Sequence, residues 1–197
     1  MNPHLYHTLY GPESLNFKLF MAINHAHHPL LDPVMEAMIS LGGSKIVYLY
    51  AAILLCVGLA RRQWLPLRYV GLFCLATVLG LGLEELLKGI AQVPRPGLAI
   101  GLDRIMVLGE VKLRNSFPSG HAIFAFVTAF TLSWRRGAGW KVPLYAFAVL
   151  VAYSRVYVGA HYPLDVTAGA VVGICSGWVV WKGYEAFAGR RGRQREG

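Results

Sequence analysis

Five apolar stretches divide the chain, and each is long enough to predict a membrane-spanning helix. A bilayer core about 30 Å thick requires about 20 largely apolar residues per spanning helix, with about 17 to 25 accepted. Basic residues follow several of the stretches, as Arg61 and Arg62 follow the first. The predicted spans cover about Ser44–Ala60, Trp64–Lys88, Gly120–Arg136, Lys141–Tyr157 and Leu164–Tyr184.

The N-terminal part of the chain, residues 12–43, is apolar only in patches. Apolar residues recur there near helical spacing, but three histidines, several prolines and the carboxylates of Asp32 and Glu36 interrupt them. This pattern is typical of amphipathic helices that lie in the membrane interface. The alternative is a sixth span within residues 26–43, which would have to bury or neutralise both carboxylates. We expect no removed signal peptide, because residues 1–14 lack a basic stretch leading into an apolar core.

Together these patterns predict an all-α protein, a polytopic integral-membrane helical bundle of five to six transmembrane helices with N-terminal interfacial helices. The bundle forms one transmembrane domain, residues 44–184. An amphipathic, interfacial segment precedes it at residues 1–43, and a basic tail follows it at residues 185–197.

The composition supports a membrane protein and argues against two other classes. Of the 197 residues, 55% are hydrophobic and 15% are charged, and the mean hydropathy is +0.46. Intrinsic disorder requires low hydrophobicity and is therefore excluded. The net charge of +9 and the pI near 9.7 are typical of nucleic-acid binders. The apolar bias argues against nucleic acid as a partner and for basic residues concentrated on one side of a bilayer.

The distribution of Lys and Arg predicts how the helices are oriented. If the turns at residues 61–68 and 135–141 share one side with Lys182 and the C-terminal tail, that side holds 11 of the 19 basic residues and 2 of the 10 acidic ones. The positive-inside rule makes that side cytoplasmic in a cell membrane. The segments at residues 94–118 and 155–164 then share the outer face, where residues distant in sequence can meet.

Three cysteines, Cys56, Cys74 and Cys175, lie inside the apolar stretches, and none has a close partner in sequence. A C-x-x-C motif is absent from the sequence. We expect buried, reduced thiols that act as small apolar side chains, without a disulfide or metal role.

Ionisable residues form three groups at span ends on the predicted outer face, where burying a charge is costly unless it is paired or functional. The first group, KGIAQVPRP, places Lys88 and Arg95 seven residues apart, with Pro96 closing the run. Two cations at a turn can bind a multiply charged anion, Arg as a planar two-pronged donor and Lys as a point charge. Alternatively they are interface anchors, or Lys88 pairs with Glu84 four residues earlier.

The second group, SFPSGH at residues 116–121, is typical of a helix start. Ser119 is a preferred N-cap residue, and Gly120 allows another group to approach the backbone closely. The free N–H groups at such an N-terminus form an anion site, and His121 would stand beside the anion. The alternative is a capped helix with an incidental histidine.

The third group, SRVYVGAHYPLD at residues 154–165, contains Arg155, His161 and Asp165. A carboxylate near an imidazole can accept its N–H, fix the tautomer and leave the other nitrogen free as a nucleophile or base. A metal site is the competing interpretation, but His121, His161 and Asp165 lack a close H-x-x-x-H pair and cations crowd the same face.

Taken together, the groups supply three cations, one helix N-terminus and two histidines, one of which has a carboxylate partner. This set points to phosphoryl transfer, in which catalysis is largely positioning and stabilisation of charge on the transferred group. The alternative of another class is a noncatalytic protein that binds or transports a phospholipid or anion through the same pocket. Binding alone would not require His161 with an orienting carboxylate and a second proton donor.

The ordered motifs K-x6-RP, PSGH and SR-x5-H-x3-D resemble the three signature motifs of the type 2 phosphatidic acid phosphatase family. Every motif position matches, and the resemblance covers about residues 44–184. The resemblance implies that His161 is the nucleophile that forms a phosphohistidine and that Asp165 orients it. It implies that His121 is the general acid and then the base. It also implies a phosphate-binding cage, formed by Lys88, Arg95, Ser119, Gly120 and Arg155.

The resemblance further implies an enzyme without a metal or other cofactor that hydrolyses a lipid phosphate or pyrophosphate at the outer membrane face. Undecaprenyl pyrophosphate is the expected substrate, because short bacterial members of the family often act on it. Phosphatidylglycerophosphate, phosphatidic acid and lipid A 1-phosphate are the alternatives, and transfer to another lipid is a second possible reaction. We expect residues 12–43 and 97–114 to shape the lipid entrance, because both segments flank the site.

Overall fold

The computed structural model describes residues 2–43 and 46–193, and this part of the chain is entirely helical apart from its turns and loops. Several residues of the predicted parts therefore lie outside the described residues, namely Met1, Ser44, Lys45 and the end of the basic tail, residues 194–197. The helices in the described part are α1 Pro3–Tyr10, α2 Leu15–Asn24, α3 Asp32–Gly42, α4 Val47–Ala60, α5 Leu67–Ala91, α6 Pro96–Ala99, α7 Gly120–Ser133, α8 Ala138–Tyr157 and α9 Pro163–Arg193.

Helix α7 is the centre of the bundle and packs against α5, α8 and α9. All of its residues are buried except His121 and Phe130. Three glycines of α9, spaced four apart, face it, and an added Cβ at Gly169 or Gly173 would lie 2.6 Å from a carbonyl oxygen of the α7 segment. Small residues let helix backbones approach closely, as is common where helices pack inside membranes. This close contact fixes the start of α9 against the start of α7.

The N-terminal helices α1–α3 pack on the same bundle. Helix α2 contacts α8 and α9, and α3 contacts α8 and α7. Phe20 is fully buried, and the buried side chain of Asn24 donates to the carbonyls of Met106 and Tyr157 at 2.8 and 2.9 Å. Asn24 Oδ1 accepts from the Met106 N–H at 2.9 Å. One buried amide thus ties α2 to the loop that precedes α7 and to the end of α8.

Two helical segments, Leu67–Ala99 and Pro163–Arg190, are long and apolar enough to cross a membrane. Helices α3 and α4 meet the same criterion only together, and they are bent by 74° to one another. Helix α7 is apolar but shorter. The structure therefore supports a helical membrane protein with two to three candidate spans among the described residues, and the number of five to six spans stays a prediction.

The surface of the bundle carries many exposed apolar side chains, including Leu49, Ile53 and Leu59 of α4. Cys56 and Cys175 belong to this surface and are exposed, whereas Cys74 is half-buried, and all three are free thiols. The expectation of buried cysteines is therefore wrong for Cys56 and Cys175. In a membrane helix an apolar side chain can face lipid, so an apolar stretch does not establish burial within the protein.

Candidate active site

The three groups of ionisable residues converge on one cavity of about 640 Å³ at the end of the bundle where α7 and α9 begin. Six of the eight predicted site residues line this cavity: Lys88, Arg95, Gly120, His121, Arg155 and His161. The other two, Ser119 and Asp165, are each fully buried. The structure therefore brings the three groups together at one cavity.

His161 lies in the short turn between α8 and α9. Gly159 adopts a φ of +76°, which favours glycine, and the N–H groups of Ala160 and His161 both donate to the Arg155 carbonyl at 3.1 Å. The His161 Nε2 atom is 3.2 Å from Nη1 of Arg95. A guanidinium can only donate, so Nε2 must carry the lone pair and Nδ1 the proton. The imidazole therefore presents a free base to the cavity cations.

The opposite nitrogen of His161 faces Asp165. Nδ1 lies 3.6 Å from Asp165 Oδ2 and 3.5 Å from Ser116 Oγ, and Ser116 donates to the same Oδ2 at 2.5 Å. The predicted contact between imidazole and carboxylate is present, although it is longer than a direct hydrogen bond. Ser116 bridges the two groups and helps to keep the Nδ1–H tautomer.

Burial and the positive charges of Arg95, Arg155 and Lys88, in that order of importance, hold the pKa of His161 well below its usual range. A buried imidazole next to cations disfavours its charged form, because both desolvation and like charge oppose protonation. His161 is therefore neutral, which is the form that can act as a nucleophile or base.

Asp165 has no exposed surface, and three donors surround its carboxylate. Besides Ser116, the Tyr10 hydroxyl donates to Oδ1 at 2.8 Å and the Tyr162 N–H donates to Oδ2 at 2.9 Å. An ionised carboxylate only accepts hydrogen bonds, and these donors fix its orientation. Sequence reasoning missed both Ser116 and Tyr10. Ser116 stands at the start of the SFPSGH motif and could have been considered, whereas Tyr10 is 155 residues away and gave no signal.

Two arginines of the cavity differ in how their donors are used. Arg95 donates from Nε to the Arg114 carbonyl at 3.0 Å and from Nη1 to the Ala160 carbonyl at 3.1 Å. Arg155 is equally buried, yet its Nε and Nη1 atoms have no hydrogen-bond partner among the described residues. Buried donors without partners are rare and call for an explanation such as a ligand. Arg155 therefore supplies unused donors to the cavity.

Lys88 reaches the cavity from the last turn of α5. Its ammonium pairs with Glu84 one turn earlier and lies 3.9 Å from Glu85. The ion pair that we considered as an alternative does form, and it forms at the cavity wall, because Glu84 lines the cavity as well. Pairing and a place in the site are therefore not exclusive for Lys88.

The start of α7 is where the SFPSGH motif predicts it, with Ser119 at the N-cap position. The Ser119 side chain makes no capping bond, contrary to the usual role of serine there, and its Oγ is a buried atom without a partner among the described residues. The Ser119 N–H instead donates to the Asp165 carbonyl at 3.0 Å. An added Cβ on Gly120 would run into the Glu84 carboxylate, so glycine is needed for this close approach.

Both segments that we expected near the entrance contribute to the remaining cavity wall, together with Ile46 and with Leu81 and Glu85 of α5. Ile39, Ser40 and Gly43 contribute from residues 12–43, and Leu108, Glu110 and Lys112 contribute from residues 97–114. The cavity is therefore lined by both cations and carboxylates.

The described residues, 2–43 and 46–193, contain no cluster of three or more His, Cys, Asp or Glu side chains that could hold a metal ion.

Comparison with known proteins gives a consistent set of relatives. A family model described as "PAP2 superfamily" matches residues 69–188, which include all eight predicted site residues. Undecaprenyl-diphosphatase BcrC of Bacillus subtilis is 31% identical over 176 residues, which cover 85% of this chain and 83% of that protein. The crystal structure of Aquifex aeolicus LpxE has a TM-score of 0.75 and 35% identity, covering 86% of this chain and 96% of that one. The crystal structure of a transmembrane PAP2 type phosphatidylglycerolphosphate phosphatase from Bacillus subtilis has a TM-score of 0.68 and 26% identity, covering 93% of this chain and 90% of that one.

Proposed function

Because the chain belongs to the PAP2 superfamily, we propose that this membrane phosphatase hydrolyses undecaprenyl pyrophosphate to undecaprenyl phosphate through a phosphohistidine intermediate. The observation that carries the proposal is the orientation of His161, whose Nε2 faces the cavity cations while Nδ1 faces Asp165. A binding protein would have no need for an imidazole held in one tautomer at the wall of an anion site.

In the proposed first step, the Nε2 lone pair of His161 attacks the terminal phosphorus of the substrate. The bond from this phosphorus to the bridging oxygen breaks, and the lipid monophosphate leaves with that oxygen. His121, which lines the same cavity, donates a proton to it. The developing negative charge is spread over the equatorial oxygens, where the unused donors of Arg155 would bind.

In the proposed second step, His121 takes a proton from water, and the resulting hydroxide attacks the phosphohistidine. The bond between phosphorus and Nε2 breaks, inorganic phosphate leaves, and His161 returns to its neutral form. Asp165 stabilises the positive charge that His161 carries while it is phosphorylated, because the carboxylate lies 3.6 Å from Nδ1. Lys88, Arg95, Ser119 and Gly120 complete the proposed cage in both steps.

The proposed arrangement in the membrane follows the distribution of charge. The protein would cross the membrane five to six times. The excess of basic residues would keep the tail of residues 185–197 in the cytoplasm, and the cavity would then open at the outer face. Residues 44–184 would form the transmembrane phosphatase domain, with residues 1–43 lying in the interface. The phosphate of a lipid would then reach the cavity at headgroup depth while its tail remained in the bilayer.

The substrate is proposed from the relatives. BcrC, whose match covers 85% of this chain, is named as an undecaprenyl-diphosphatase. Phosphatidylglycerolphosphate is the second candidate, because a phosphatase for this lipid has the same fold and 26% identity.

A phosphate-release assay on the purified protein in detergent tests the proposal. The panel would contain undecaprenyl pyrophosphate, phosphatidylglycerophosphate, phosphatidic acid and lipid A, each at the same mole fraction. We expect the highest kcat/KM with undecaprenyl pyrophosphate, and turnover that persists in EDTA. No phosphate release from any of the four would contradict a phosphatase, whereas a different ranking would contradict only the substrate. Mass spectrometry with an added lipid acceptor distinguishes hydrolysis from transfer.

A further inference from the structure

The side chains of Glu85 and Glu110 at the cavity wall are 79% and 66% exposed, whereas Glu84 places a buried carboxylate in the site that is proposed to bind phosphate. The residue is 7% exposed, lines the cavity and pairs with Lys88. Its carboxylate also lies against Gly120, the first residue of α7. Glu84 therefore stands between two of the groups that the proposed function assigns to the phosphate, the Lys88 ammonium and the N-terminus of α7.

The contacts of Glu84 are those that a bound phosphate would make. A carboxylate is an anion with two acceptor oxygens, and an ammonium pairs with carboxylate or phosphate through the same donors. A phosphate that engages Lys88 must displace this carboxylate or accept a like charge beside it. Like charges a few ångströms apart in a partly buried site repel appreciably.

Arg95 and Arg155, the other two cations of the proposed cage, form no salt bridge among the described residues, and Lys112 at the cavity wall pairs with Glu110 at 3.7 Å only through side chains that are more than half exposed. Arg95 is held by two backbone carbonyls, and Arg155 has two donors that are unused among the described residues. Without a competing anion, these groups together with Lys88 would retain a multiply charged product. An enzyme gains nothing from tight binding of its product, because turnover requires the product to leave.

We propose that Glu84 is an affinity-setting residue, an internal anion that competes with phosphate for Lys88 and so promotes release of inorganic phosphate after each turnover. The inference rests on the proposed function and extends it to product release. Glu84 acts by weakening phosphate binding and takes no part in the bond-breaking steps.

Four variants test this inference. Glu84→Gln keeps the size of the side chain without its charge, Glu84→Ala removes the group altogether, and Glu84→Asp retains the charge. Glu85→Gln is the matched control, because Glu85 is the adjacent carboxylate, its side chain is 79% exposed, and it lies 3.9 Å from Lys88. Calorimetric titration of each purified protein with inorganic phosphate gives the Kd, and inhibition of lipid hydrolysis by phosphate gives the Ki.

We expect Glu84→Gln and Glu84→Ala to lower the Kd and the Ki for phosphate by about three- to tenfold, on the scale of a partly buried ion pair. The KM for the lipid should fall in parallel while kcat does not rise. Glu84→Asp and Glu85→Gln should stay within about twofold of the wild type, since an exposed charge contributes little. Thermal unfolding identifies any variant that fails to fold.

Unchanged or weaker phosphate binding in both neutral variants would overturn the inference, and weaker binding would instead make Glu84 a residue that positions Lys88. A change of the same size in Glu85→Gln would also overturn it, because the effect would then reflect only net charge. If the wild type hydrolyses no lipid phosphate, the proposed function fails while the phosphate titration still decides the role of Glu84.

Discussion

The two ends of the helix bundle hold basic side chains in different ways. At the site end, where His161 lies, Arg95 and Arg155 are each only 7% exposed. The opposite end lies about 37 Å away along the 25 residues of α5. There the Arg136 guanidinium lies over the rings of Tyr69 at 4.5 Å and Trp140 at 4.2 Å.

This difference indicates that the basic residues at the site end serve catalysis, whereas those at the opposite end anchor the protein in the membrane. Arg136 rests on aromatic faces at a half-buried position, an arrangement that membrane proteins use near the interface. Its neighbour Arg135 pairs at 2.9 Å with Glu185, although the Arg135 side chain is 73% exposed. At the site end the cations are buried and face a neutral histidine. Burying a charge is costly, so the burial itself indicates where charge serves a function.

Removing the proposed nucleophile, His161 at the site end, should lower activity more than any other change considered. We expect His161→Ala to lower phosphate release by at least about a thousandfold, because the covalent step loses its nucleophile and His121 is assigned to proton transfer. The assay uses the preferred lipid at saturating concentration. The exposed His4→Ala variant is the control and should retain wild-type turnover. If folded His161→Ala protein kept near wild-type activity, the proposed mechanism would be wrong.

The unused donors of Arg155 give the next largest expected effect. Arg155→Gln removes the charge and the forked donors, and we expect kcat/KM to fall about a hundredfold, as for loss of one donor to a transition-state oxyanion. Orthovanadate, which mimics the trigonal-bipyramidal phosphorus, should inhibit this variant much more weakly than the wild type. Equal inhibition of both proteins would show that Arg155 does not bind the transferred group.

Ser116 and Tyr10 should matter less, because they act through Asp165 and do not touch the substrate. We expect Ser116→Ala and Tyr10→Phe each to lower kcat about tenfold with little change in KM, since a misoriented imidazole binds substrate but attacks poorly. Thr8→Ala, in the same helix as Tyr10 and exposed, is the control. A rise in KM without a fall in kcat would argue against an orienting role.

The comparison of the two ends also shows how much the sequence could predict. The motifs around Lys88, Ser119 and His161 are each contiguous, so their residue types and spacing alone indicated an anion site. The hydropathy pattern then predicted that the three segments would share one end of the bundle, because an even number of predicted spans, none or two, separates each segment from the next. The structure agrees with that juxtaposition in one cavity.

The contacts of Tyr10 and Glu84 could not be predicted in the same way. Tyr10 reaches Asp165 because α1 packs on α2, which in turn contacts α9, and the amphipathic pattern of these helices does not reveal their partners. The Lys88–Glu84 pair, which the sequence offered as an alternative to an anion site, follows from helical spacing, but the place of Glu84 against Gly120 depends on how α5 packs on α7. Tertiary packing of this kind leaves no periodic signal in a single sequence.

The buried, neutral state of His161 predicts a pH dependence of stability. Its pKa is lowered in the folded protein. As the pH falls below about 6.5, the unfolded chain therefore takes up a proton that the folded protein does not, and stability is lost by at most about 1.4 kcal/mol per pH unit. Unfolding of the wild type and of His161→Gln would be measured at about pH 7.5, 6.5 and 5.5. We expect the wild type to lose more stability on acidification. Parallel curves would contradict a neutral imidazole.

The smallest effect is expected where the same chemical change is made at the opposite end. Arg136→Gln removes two contacts with aromatic rings, which at such a site stabilise by about 0.5–1 kcal/mol each, and it should lower the melting temperature by a few degrees. Turnover should stay within about twofold of the wild type, because the charge lies about a whole spanning helix away from the cavity and salt screens it. Arg155→Gln is the matched variant at the site end. If Arg136→Gln lowered kcat tenfold with KM unchanged, the two ends would be coupled through α5 and α7, and the separation of chemistry from anchoring would not hold.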